Sequence, residues 1–184
     1  MTPAWVVPTA RAVAWEPTAA VGACLVLVSA VATRSGTWPV GVLGVTAAAL
    51  AAAMVAGLRD PAAALLAAVP TSAARRRGRR MALLVPAGAA LWSAYVTAAH
   101  QSQPTVGWPL GTVTALSATG FAVAAWAPDR IAVGAGVAAP LLWYSAAQAS
   151  GLDRGPAEVL FAWQHHPWLV TTAALTVLSM RRNR

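Results

Sequence analysis

At 184 residues, 58% hydrophobic and only 10% charged, the chain is too apolar for a soluble domain, in which about a quarter of residues carry charge. Its thirteen basic residues are all arginine and outweigh five acids for a net charge of +8. They sit at the ends of apolar runs and are not interleaved with exposed aromatics, which excludes a nucleic-acid-binding surface and fits a membrane protein.

Residues 1–16 carry Trp5, Arg11, Trp15 and Glu16 among alanines, valines and prolines. They read as an interfacial segment, with tryptophans at headgroup depth, or as a plain tail. No basic residues precede the first apolar stretch, so no cleaved signal peptide is expected. Six spans follow, at about 17–33, 38–58, 81–99, 106–126, 131–150 and 167–180. A crossing needs about 20 residues at 1.5 Å each to cover roughly 30 Å of hydrocarbon. The last stretch is short for that, and Pro140 is expected to break the fifth near its middle. Cys24, the single cysteine, lies in the first span and reads as a small hydrophobe; no intrachain disulfide is possible.

The connections set the orientation. Arg34-Ser35-Gly36-Thr37 is a tight turn between the first two spans, and residues 59–80 form a basic loop between the second and third. Residues 151–166 form the longest segment on the opposite side. Eleven arginines fall on the side shared by both termini, against Arg34 and Arg154 on the other. Both termini are therefore expected in the cytoplasm. Trp38, Trp108, Trp163 and Trp168 would mark the outer boundary and Trp126 the inner one, while Trp92 and Trp143 fall inside spans. Gly41, Gly44 and the Gly107/Gly111 pair offer small surfaces for close helix approach.

Little in the chain carries chemistry of its own. No ionisable residue lies well inside a span, which counts against a proton- or sodium-coupled carrier. There is no nucleophile–base set, no paired carboxylates and no glycine-rich phosphate loop, so the chain is not expected to be an enzyme. His100, His165 and His166 would lie near the outer face, where haem or copper ligation is conceivable. Two of them are adjacent and no other ligand is spaced to join them, so interfacial histidines are the plainer reading. Trp92, Trp143 and Gln148 are candidates to line a substrate path, with ordinary packing as the alternative.

The loop is more informative. Asp60 can cap a helix that opens on Pro61, Leu65, Leu66 and Val69 can share one face of it, and Pro70 ends it. Thr71 or Ser72 can cap the next helix, whose first turns carry Arg75, Arg76, Arg79 and Arg80 toward water and anionic headgroups. A topology-setting connector explains the arginines but not the separate short helix.

The run Leu65-Leu66-Ala67-Ala68-Val69-Pro70-Thr71-Ser72-Ala73-Ala74-Arg75-Arg76 resembles the loop between spans two and three in permease subunits of bacterial type-2 ATP-binding-cassette exporters. There a short coupling helix precedes a Leu-Pro-Val/Thr-Ser-Arg segment and a basic start to span three. The resemblance covers the topology of the whole chain, while the sequence match is confined to this loop. It implies an all-α, six-span protein of the bacterial inner membrane, working as a homo- or heterodimer of permeases with cytoplasmic ATPases. Asp60, Pro61, Leu65, Leu66, Val69, Pro70, Arg75 and Arg76 would dock the ATPase, which would hold the ATP and magnesium. This chain would bind no cofactor, and its substrate would be hydrophobic or amphipathic. Two departures stand out: the loops are nearly minimal, and the basic residue expected after Thr-Ser is delayed to Arg75 by Ala73-Ala74. An accessory subunit of a larger membrane complex, without a transport path of its own, is the alternative.

Overall fold

A computed structural model describes residues 4–36, 38, 40–60, 73–102, 110–150 and 157–182. Among them the chain forms eight helices and no strand: α1 (Val6–Ala12), α2 (Glu16–Ser35), α3 (Val40–Ala56), α4 (Ala73–Ser102), α5 (Leu110–Trp126), α6 (Ala132–Ser150), α7 (Ala157–His165) and α8 (Pro167–Arg182). Local signals account for several ends. α2 opens on Glu16 and Pro17, an acid and a ring-fixed φ suited to a first turn, and stops at Gly36, whose φ of 66° is left-handed. Trp15 packs between α1 and α2 and donates its indole N–H to the Ala10 carbonyl at 2.7 Å. α1 is thus a folded strap rather than a tail.

One element follows the expected pattern and one departs from it. α4 runs unbroken for 30 residues, so the arginines and the third apolar stretch belong to one rod about 45 Å long. α6 also runs unbroken through Pro140, where a break was expected. Pro140 has no N–H for the Gly136 carbonyl, but that oxygen lies against Gly120 of α5. A Cβ on Gly120 would meet it at 2.9 Å, so two glycine backbones touch where the proline frees a carbonyl.

Six helices, α2 to α6 and α8, alternate in direction. α3 and α5 lie at the centre, with α6 against both, α8 on α5, and α2 and α4 on the other flank of α3. Ala47, Ala48, Ala51, Ala115, Ala124 and Ala147 fill the interior, while Val26, Leu27, Val31, Leu142 and Leu169 point outward. Small side chains let the axes approach closely: Gly44 lies under the Tyr144 ring, Gly57 against Leu84 and Gly111 against Pro167. Gly120 is also crowded by Val55, and its contact with the Gly136 carbonyl is backbone that cannot rotate away. Gly120→Ala is expected to cost about 1–3 kcal/mol in detergent unfolding. Gly134→Ala, which meets nothing within 4 Å, should be neutral or stabilise by up to about 1 kcal/mol.

By length and composition, two helices can cross a membrane: α2 with 20 residues and the 27-residue stretch Arg75–Gln101 of α4. Gly41–Ala56, Leu110–Trp126 and Pro167–Met180 are shorter apolar helices. The all-helical expectation therefore holds among the described residues, but only two of the six expected spans meet the length and hydropathy of a crossing, so the helices do not by themselves support six.

Candidate functional site

The site begins with the helical phase of α4. Arg76, Arg80, Leu84, Gly88, Trp92 and Val96 recur every four residues and so lie along one stripe that winds about 40° around the helix at each step. Leu84, Gly88, Trp92 and Val96 are buried against the bundle, and the stripe carries Arg80 in with them. The Arg80 side chain is only 5% exposed. Its Nη1 donates to the Leu58 carbonyl at 3.2 Å and the Arg59 carbonyl at 2.8 Å, just past the end of α3. Its Nη2 lies 2.9 Å from Asp60 Oδ1, and Arg76 Nε lies 3.6 Å from the other carboxylate oxygen.

Arg80 therefore does not reach water or headgroups, as the charge run suggested; helix phase turns it inward to finish α3. Arg76, expected to meet a partner's acids, pairs with Asp60 of its own chain. The neighbouring arginines have other tasks. Arg77 reaches Asp129 in the α5–α6 turn at 3.0 Å, and Arg79 sits 5.9 Å from the centroid of the Trp5 ring. With Asp129 83% exposed, the Arg77 pair is worth at most about 1 kcal/mol. In the Asp60–Arg80 pair the arginine is buried and the carboxylate mostly so, and loss of that carboxylate would strand a buried charge. Pro61, Leu65, Leu66, Val69 and Pro70 lie outside the described residues, but the loop they belong to leaves and rejoins the bundle at this clamp. Arg75 is exposed on the first turn of α4.

At the opposite end of the bundle lies an aromatic cluster. Tyr95 stands between Trp38, edge-on at 5.4 Å, and Trp92 at 5.6 Å. Trp92 is fully buried and faces the bundle interior. Trp38, expected at the membrane boundary, is buried too, as is Trp163, which packs against Tyr144 at 5.9 Å. Among the described residues the indole N–H groups of Trp38 and Trp92 and the Tyr95 hydroxyl have no hydrogen-bond partner. Thr46 lies beside the Tyr95 hydroxyl, but its own hydroxyl donates back to Val42 at 2.7 Å and no well-formed bond joins the two. A buried donor left unmatched costs about 1–3 kcal/mol, so three together are costly.

The other predicted path residues behave differently. Trp143 is partly buried against the core. Gln148 is exposed and donates to the Tyr144 hydroxyl at 3.3 Å, which in turn donates to the Gly41 carbonyl at 3.3 Å. That chain of bonds ties α6 to α3. His165 stacks on Phe161, His166 is exposed, and His100 lies near the end of α4. Among the described residues no three His, Cys, Asp or Glu side chains gather into a metal-binding group. Sequence reasoning singled out neither Asp129 nor Tyr95, and it gave Arg80 and Trp38 other places, at the headgroups and the outer boundary. The period-four stripe of α4 would have flagged Arg80, and its i, i+3 companion would have flagged Tyr95.

Compared with known proteins, the chain matches no family model, no curated protein and no solved structure.

Proposed function

We propose that this protein is the transmembrane subunit of an ATP-driven exporter, with six helices crossing the bacterial inner membrane and both termini and the 59–80 loop in the cytoplasm. The observation that carries the reading is the clamp of Asp60, Arg76 and Arg80, which closes the base of that loop onto α3 and α4. A partner that displaces a loop closed at its base moves the helices to which it is clamped; a slack loop would absorb the displacement. The outer surface supports the membrane setting, since large apolar side chains such as Val26, Leu27, Val31, Leu142 and Leu169 are exposed on it. Among the described residues the ion pairs join elements at the end that collects most of the arginines.

In this reading Leu65, Leu66 and Val69 supply the apolar contact to a cytoplasmic ATPase, which holds ATP and magnesium. A second permease copy completes the path for a hydrophobic or amphipathic substrate. The absence of ionisable groups among the mid-helix residues described favours a second reading, an accessory subunit with no path of its own. Isolation of the chain from its host membrane in mild detergent separates the two. The exporter reading expects an ATP-binding-cassette ATPase in comparable amount. Recovery of redox or secretion-complex subunits in its place would favour the accessory role.

A further inference from the structure

The clamp leaves the aromatic cluster at the far end of the bundle without a task. We propose that Trp38, Trp92 and Tyr95, with Thr46 beside them, bind an uncharged molecule that carries a carbonyl or ether oxygen on an apolar body. The inference rests on the membrane reading above and names the class of compound the bundle holds. Its basis is a mismatch between what the cluster offers and what surrounds it. An indole N–H can only donate, and no carbonyl among the described residues lies placed to accept from Trp38 or Trp92. Among the described residues these three donors are buried in one cluster without a well-formed acceptor, and each belongs to a residue at least nine-tenths buried.

Charge narrows the class. Trp92 lies twelve residues beyond Arg80 on the same helix, about 18 Å along its axis, so no arginine of the clamp helps to hold an anion. A cation would leave both indole N–H groups unmatched. A neutral ester, ketone or ether satisfies the donors and places its apolar part against the rings. Such an oxygen occurs both in glycerolipid esters of the bilayer and in a transported solute.

The test uses the purified full-length chain in nanodiscs of ether-linked phosphatidylcholine, with a diazirine-bearing fatty-acid methyl ester as the probe. After irradiation the label is expected on the α4 peptide containing Trp92 and Tyr95. Unlabelled methyl ester should compete and an alkane of equal length should not. Tyr95→Phe removes one oxygen and keeps the ring, and it should lower the competed labelling about tenfold, the worth of one well-placed hydrogen bond. Trp92→Phe should lower it by at least as much. Labelling that the alkane competes equally well, or that Tyr95→Phe leaves unchanged at an unaltered melting temperature, would overturn the proposal. Either result could occur in a chain that still inserts and still binds an ATPase, so this inference can fail alone. Repeating the labelling in ester-linked lipid identifies the source: reduced labelling assigns the site to bilayer glycerolipid, and unchanged labelling to a solute.

Discussion

Asp60→Ala is expected to destabilise the protein by about 3–5 kcal/mol, read as loss of unfolding free energy in mild detergent. The reason is the guanidinium left behind. Arg80 is buried, and its two carbonyl contacts at Leu58 and Arg59 satisfy hydrogen bonds without neutralising charge. Replacing both partners, Asp60→Ala with Arg80→Met, should recover most of the loss, since a methionine fills the volume with no charge to solvate. Asp129→Ala, which breaks the exposed pair with Arg77, should cost no more than about 1 kcal/mol. If Asp60→Ala cost as little as Asp129→Ala, the clamp would be a surface ion pair and the rigid loop base would be lost with it.

The second large effect concerns the partner. Leu65→Asp together with Leu66→Asp places two carboxylates on the apolar face predicted for the loop helix. The double variant is expected to insert normally and yet to lose the ATPase on purification. A docking groove that receives leucines has no means of neutralising two desolvated carboxylates, whose burial costs far more than the lost apolar contact. Asp60→Ala, tested alongside at a temperature where it stays folded, should weaken coupling without removing the docking face. Retention of the ATPase by the double variant would detach function from residues 61–70, and the resemblance would then have no physical counterpart in this chain.

Much of the architecture was legible in the sequence, because long apolar runs between charged or proline-rich breaks leave few alternatives. The expected span 131–150 coincides with α6 at Ala132–Ser150, and 17–33 with α2 at Glu16–Ser35. Phase was the harder part. The arginines from Arg75 to Arg80 form one block when read by charge, but a 3.6-residue turn sends Arg76 and Arg80 to the bundle, Arg77 to Asp129 and Arg79 to Trp5. Trp38 and Trp163 were placed by their distance along the chain, which gives depth in a membrane but not direction. Both turn inward, onto Tyr95 and Tyr144. Pro140 was expected to break its helix because the local rule says so. The missing bond is offset by the contact of the Gly136 carbonyl with Gly120, a tertiary event invisible in α6 alone. α7 was folded into a single outer segment, although Glu158 near its start and His165 at its end suit the two poles of a helix. The aromatic cluster joins Trp38 to Tyr95 across the 59–80 loop, a pairing that no local pattern encodes.

Everything proposed for the loop and the clamp depends on the arginine-rich end facing the cytoplasm. Cys24 is the single native cysteine, so a Cys24→Ser background allows one reporter thiol at a time. Gln101→Cys, at the exposed last turn of α4, and Arg130→Cys, in the exposed α5–α6 turn, lie at opposite ends of the bundle. In intact spheroplasts treated with a membrane-impermeant maleimide, Gln101→Cys is expected to react and Arg130→Cys to stay silent until the membrane is opened. Equal labelling of both thiols in intact spheroplasts, or labelling of Arg130→Cys alone, would contradict the account.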